Sequence, residues 1–314
     1  MTLEETSPVR SARWARGIAL FSVGLLLVTV VLHRLFALPT PLAINLFVVG
    51  LAGAGLSVLV GLAAIARIWF TGHAGAGSAA LGVLLGLAAL AGPFGYALAH
   101  SNLPWIYDVT TDPANPPAFA VLASRPQGAN AIAYPGQPFA DLQAKAYPDL
   151  RPLVMDRSAE EAFELVEEAV RRLHWQVIVE EPPTTGKEAA PGVIEATEQT
   201  LLVGFPDDIV IRIEGNATHA RIDARSASRY GGFDFGQNAA RLRGLFAEIR
   251  ARMEVTPSAA VAAAAKDKAS GTAAARALLK RQKGRDQRKA ESRNARARGK
   301  SGAQRAPARK GMPH

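Results

Sequence analysis

The chain has 314 residues, of which 49% are hydrophobic, and a formal net charge of +9, which leaves room for one or two domains of ordinary size. The charge is unevenly spread: Val255 to His314 holds 16 Lys and Arg against 3 Asp and Glu, so the rest of the chain is slightly acidic and the basic balance belongs to the tail. The absence of cysteine excludes disulfide frameworks, thiolate metal sites and cysteine nucleophiles, and leaves the compartment to be read from topology.

Three apolar runs come first, Gly17 to Leu32, Ile44 to Ala66 and Ser78 to Ala99, each close to the ~20 residues that cross a ~30 Å hydrocarbon core. They predict three membrane spans. A signal peptide is the rival reading for the first run, but no clean small-residue cleavage site follows it and two further runs do. Trp14, Trp69 and Trp105 each stand beside the end of a run, where an indole prefers the headgroup zone. Arg10, Arg13 and Arg16 precede the first span and Arg67 lies at the second loop, whereas Arg34 alone marks the first loop and no Lys or Arg occurs from Ala99 to Ser124. This bias predicts a multi-pass protein of a bacterial inner membrane, N-terminus in the cytoplasm and the following domain in the periplasm. The spans contain no acidic residue, Lys or Arg, which gives a proton relay or ion pump nothing to work with. Ser78, Gly82 and Gly86 recur every four residues, a spacing that suits close helix packing within one bundle.

After the spans, the proline-rich PWIYDVTTDPANPPAF, Pro104 to Phe119, predicts an extended strap, with Asp108 and Asp112 as turn or strand-end residues. The pattern stays weak to Leu153. Ser158 and Glu161 then form a capping box, and Phe163, Val166, Val170 and Leu173 follow at helical spacing. Four strand-like runs come next, WQVIVEE, GVIEATEQTLLVG, DIVIRIEG and ARIDARSAS, separated by PPTTGKEAAP, FPD and NATH. They predict a four-stranded antiparallel meander. A second box-like start at Asp234 and Gln237 opens a last helix with an apolar stripe through Leu242, Leu245, Phe246 and Ile249. Strand alternation puts Ile209, Ile211 and Ile213 on one face with Ile222, Ala224, Ser226 and Ser228, facing the helices. Arg212, Glu214, Arg221, Asp223, Arg225 and Arg229 take the other face, beside Glu195, Thr197 and Gln199, and are expected to be solvated. The expected architecture is an α-helical membrane anchor of three spans (residues 1–103), a two-layer α+β domain with an antiparallel sheet and helices on one face (104–254), and a disordered basic tail (255–314).

Taken together, DVTTDPANPPAF, VMDRSAEEAFELVEEAVRRLHW, IEATEQTLLVGFPDDIVIRI and IDARSASRYGGFDFGQNAARLR resemble the family catalogued as domain of unknown function 1499, over Trp105 to Arg252. Similar proteins occur in bacteria and photosynthetic eukaryotes, and bacterial members often carry amino-terminal spans. The resemblance implies the domain and lends no catalytic residue to any position.

The stretch RSASRYGGFDFGQNAARLR, Arg225 to Arg243, concentrates the candidate chemistry. Arg225 and Arg229 from the strand, the Gly231–Gly232 turn, and Arg241 and Asn238 from the helix that follows could form an anion site for a carboxylate, phosphate or sulfate. The competing reading is a structural corner: Asp234 caps the helix, Asn238 ties the turn down, and the arginines pair with Asp223, Glu214 and Glu195. Glu195, Thr197, Arg212 and Asp223 on the polar face are the second-choice site residues. Asp207 and Asp208 should point to opposite faces, which disfavours an acid–base pair and suggests turn residues. The six histidines lack ligand spacing, Ser226 and Ser228 lack a nucleophile elbow, and no phosphate loop or dinucleotide fingerprint is present. No metal or cofactor is therefore expected, and catalysis is unmotivated. The tail calls for a polyanion: anionic lipid or envelope polysaccharide outside, nucleic acid only if it is cytoplasmic. The leading expectation is a non-enzymatic inner-membrane protein whose extracytoplasmic domain binds a partner or small anionic ligand. An enzyme acting on an envelope or lipid-derived substrate, and a membrane scaffold with a cytoplasmic polyanion-binding tail, are the alternatives.

Overall fold

The computed structural model describes residues 9–184 and 189–255, with residues 279, 280 and 283. Part of the PPTTGKEAAP turn and nearly all of the basic tail lie outside the described residues.

Three apolar helices open the chain: α1 (Arg10–Leu35), α2 (Thr40–Thr71) and α3 (Ala76–Ala99), each long and apolar enough to cross a membrane. They outrun the apolar stretches because their polar ends, with Arg10 to Arg16 on α1 and Arg67 on α2, continue the helix beyond the hydrocarbon. The small-residue row of α3 is used inside the chain. A Cβ on Gly82 would come within 2.7 Å of the Ala15 backbone in α1, and one on Gly86 within 2.7 Å of the Ala54 carbonyl in α2. Glycine there lets three backbones approach.

The domain is built on one antiparallel sheet of six strands: β1 (Asp108–Thr110), β2 (Leu153–Met155), β3 (Gln176–Glu181), β4 (Gly192–Gln199), β5 (Pro206–Gly215) and β6 (Ala220–Ser228). The order is β1-β6-β5-β4-β3, and β2 pairs with the first half of β6 while β1 pairs with its last half. The expected meander is present as β3 to β6. The two short strands enlarge it, and Asp108 is a strand-end residue, the first of β1, and fully buried. A helix α4 (Gln137–Ala146) arises in the stretch without a sequence pattern, with Pro138 in its first turn. Its Gln143 amide stands in for a missing neighbour strand at the β1 edge, accepting from Thr110 N at 3.0 Å and donating to Thr110 O at 2.6 Å.

Helix α5 (Ala159–Arg172) starts where the capping box puts it, with Glu161 N donating to Ser158 Oγ at 3.1 Å. It and α6 (Gln237–Val255) cover the face that β5 and β6 fill with Ile209, Ile211, Ile213, Ile222 and Ala224, all fully buried. The opposite face corrects the expectation of a solvated surface. Residues 111–134 cross it, and Phe119 and Leu122 pack with Val210 and Ala227, joined by Ile132 and Val193. A second small apolar core therefore lies beneath the strap; of the charges on that face Glu195, Asp223 and Arg225 are buried, while Glu214 and Arg221 keep side chains 46% and 42% exposed.

Candidate functional site

The alternation of β5 decides where the carboxylates go. Asp207 and Asp208 are consecutive in the strand, both buried, and not turn residues. They point to opposite faces, as neighbouring strand residues must.

On the helix face, Asp207 accepts from Arg241 Nη2 at 2.7 Å, and Arg241 Nε also pairs with Glu198. Arg241 Nη1 donates to Asn238 Oδ1 at 2.7 Å and to Ser226 Oγ at 3.0 Å. Asn238, fully buried on the first turn of α6, donates through Nδ2 to Tyr107 O at 2.9 Å and Ser228 Oγ at 3.1 Å. Asp234 holds the turn before the helix, accepting from Gly236 N at 2.8 Å and Asn238 N at 3.1 Å. Burial pushes the carboxyls of Asp207 and Asp234 above the usual range; Arg241 pulls Asp207 back, and the Gly236 and Asn238 amides do the same for Asp234.

On the strap face, Arg225 is gripped in a fork by Asp108, Nε to Oδ1 at 3.0 Å and Nη2 to Oδ2 at 2.7 Å. Its remaining donors reach the carbonyls of Pro117 and Ile132, and its plane lies 5.0 Å from the Phe119 ring centre and 5.5 Å from that of Tyr134. Arg229 donates to Asp208 Oδ1 at 2.8 Å and to Thr197 Oγ1 at 3.2 Å. Arg125, from the strap, approaches the same Asp208 at 3.1 Å and donates to Asn130 O at 3.1 Å. The Arg125 Nε atom and the Tyr134 hydroxyl are nonetheless buried without a hydrogen-bond partner, and Arg125 Nη2 has only its ion pair with Asp208. Burial lowers the Arg125 pKa and pushes that of Tyr134 up to about 12. Glu195 accepts from the amides of Ala120 and Leu122, fixing the strap to the sheet. Arg212, Arg221, Asp223 and Asp112 make a separate network farther along the strands, with Arg212 to Asp223 at 3.0 Å and Arg221 to Asp112 at 2.6 Å.

The four arginine-corner candidates therefore form two groups: Arg241 and Asn238 under α6, Arg225 and Arg229 under the strap. Of the second-choice residues, Thr197 joins Arg229, Glu195 serves the strap backbone, and Arg212 and Asp223 stand apart. Sequence reasoning missed Arg125 and Tyr134, which lie in a stretch without periodic pattern.

Residues 108–249 match the family model described as Protein of unknown function (DUF1499). The match begins at the first residue of β1 and ends inside α6, so it takes in the sheet and both of its faces and leaves the spans out. No curated protein matches the chain.

Among the described residues, the matched domain is held against the helices at two places, both at the sheet end where β4, β5 and β6 meet. At the β4–β5 turn, Val203 O accepts from His33 Nδ1 at 2.7 Å, Thr200 O accepts from Arg34 at 3.0 Å, and Phe205 meets the rings of His33 and Phe47 edge-on. After β6, Phe233 stacks on Trp105 at 4.8 Å and Phe235 packs on Tyr96 at 5.2 Å, while Gln237 donates to the Tyr96 hydroxyl at 2.7 Å. The glycine turn of the arginine corner is thus also the seat of the domain on α3. Leu201 and Leu202 at the tip of the first turn are 84% and 80% exposed.

Proposed function

We propose that this is a non-enzymatic integral protein of a bacterial inner membrane, with its N-terminus in the cytoplasm. Its periplasmic DUF1499 domain binds a small anionic ligand, free or presented by a partner, where Arg125 and Arg229 converge. The observation that carries the reading is the Arg125 guanidinium. Its side chain is 6% exposed, yet its Nε has no hydrogen-bond partner and its Nη2 meets only the charge of Asp208, out of hydrogen-bond geometry, and an under-satisfied buried donor of this kind in a native protein points to an ion or water that completes it. Arg229 shares the one carboxylate of Asp208 with it, so two forked cations face a single aspartate, an arrangement suited to phosphate or carboxylate. A non-enzymatic role is supported by the carboxylates of both faces, each of which is occupied by an arginine or by backbone amides. In the periplasm the basic tail would meet anionic lipid or envelope polysaccharide; nucleic acid would become its partner only with the topology reversed.

The test is thermal denaturation of the purified full chain in phosphate, sulfate or citrate, against chloride of equal ionic strength. The expected result is a saturable rise in Tm, reaching about 2.7 kcal/mol of stabilisation at a hundred times Kd, abolished in folded Arg125→Gln and Arg229→Gln variants. An equal rise in both variants would reflect general salting effects and overturn the proposal.

A further inference from the structure

We infer that the groove between α1 and α2 at the N-terminal end of the anchor is a binding site for one anionic phospholipid of the surrounding bilayer. The groove encloses about 710 Å³ and begins at Arg10 and Arg13, with the exposed Trp14 beside them. It then follows one face of α1 through Gly17 and Phe21 to Ser22, where Gly53 of α2 closes the floor. From Arg10 to Ser22 is about 18 Å along a helix, close to the ~20 Å half-thickness of a bilayer with its headgroups. A charged mouth over an apolar trough one leaflet deep matches a phosphate with an acyl chain beneath it.

The floor of the trough is closed by helix packing: Ser22 is 1% exposed, and a Cβ on Gly53 would come within 2.3 Å of its Oγ. At the mouth, α1 starts without a side-chain cap and without an acidic residue in its first turn, and a helix start of that kind favours phosphate, as do the two guanidinium groups. The acidic pair before the helix, Glu4 and Glu5, lies outside the described residues. The occupant is lipid because the trough opens to the bilayer and its mouth is cationic; a neutral headgroup would leave the arginines unanswered.

The full chain, purified in mild detergent with equal amounts of phosphatidylglycerol and phosphatidylethanolamine, would be analysed by native mass spectrometry. The wild type should retain one phosphatidylglycerol per chain. Arg10→Gln and Arg13→Gln should each lower the preference over phosphatidylethanolamine about fivefold. Arg16→Gln, an arginine of the same end that does not line the groove, should leave it unchanged. Gly17→Leu should expel both lipids at unaltered Tm, because a Cβ at Gly17 meets nothing within 4 Å and the side chain enters the trough. Equal retention of the two lipids by the wild type, an equal loss in Arg16→Gln, or undiminished retention in Gly17→Leu would each overturn the inference. So would a lipid-free wild type that forms dimers broken by Gly17→Leu, since the occupant would then be a second copy of the chain.

Discussion

Arg225 and Asp108 are both almost fully buried and joined by two parallel hydrogen bonds, so either group alone would be a charge without water or partner. Arg225→Met should cost about 3–5 kcal/mol in chemical denaturation, and adding Asp108→Asn should recover a large part of that loss, because the penalty lies in the orphaned carboxylate. Full additivity of the two substitutions would show that the pair is not coupled. Tyr134 behaves in the opposite way. Its buried hydroxyl has no partner, so Tyr134→Phe removes a polar group that gains nothing from burial and should leave stability unchanged or raise it by about 1 kcal/mol. Its pH dependence has a definite sign. Burial and the Asp108 charge raise its pKa from 10.0 to about 12, so the unfolded chain ionises first. The stability due to the neutral phenol is complete below about pH 10 and is lost as pH rises toward about 12. Ultraviolet titration should find one tyrosine among the five ionising last, at about that pH, and missing in Tyr134→Phe.

Among the elements, β4 to β6 were legible because apolar and polar residues alternate through them, β3 because a β-branched run stands before the PPTTGKEAAP turn, and α5 because a capping box precedes a clean apolar stripe. β1 and β2 were not, since three residues contain no period and β1 follows a proline-rich approach. The destination of the polar face was hidden for a related reason. Phe119, Leu122 and Ile132 cover it from irregular backbone, where neither a period of two nor one of 3.6 applies. Alternation alone could separate Asp207 from Asp208, but naming Arg125 as the second cation on Asp208 required the path of the strap. The β4–β5 turn was read as the end of the strand run GVIEATEQTLLVG because Leu201 to Val203 continue its apolar pattern, whereas β4 stops at Gln199, and the role of the turn depends on what it touches. His33 and Arg34 fix its backbone at the end of α1 while Leu201 and Leu202 project, largely exposed. Two adjacent leucines beside a span end belong in the interfacial zone of the bilayer. In liposomes containing brominated lipid, a tryptophan at Leu201→Trp should be quenched beyond the wild-type background, and one at Ala217→Trp, in the exposed turn between β5 and β6 at the opposite end of the sheet, should not. Equal quenching at both positions would mean that the sheet lies along the membrane and does not stand on its β4–β5 end.

At the scale of the whole molecule, both contacts between domain and helices lie at one end of the sheet, so the side of the membrane on which α3 ends determines what the entire domain can meet. Four arginines, Arg10, Arg13, Arg16 and Arg67, lie at the other side of the bundle, against Arg34 on the domain side, and this difference within short flanks is the kind that orients spans during insertion. The chain has no cysteine, so one placed at Ala217→Cys provides a unique thiol at an exposed turn. In intact cells a thiol reagent that crosses only the outer membrane should label it, and a second variant, Thr71→Cys at the end of α2, should react only after the inner membrane is breached. That pattern would give the Arg125–Arg229 face access to periplasmic anions and the basic tail access to the envelope. The reverse pattern would place both in the cytoplasm, where nucleic acid competes for the tail, and would remove the compartment from the proposed function. The lipid groove would survive either result, because it depends on an anionic leaflet at the α1 N-terminus and not on which leaflet that is.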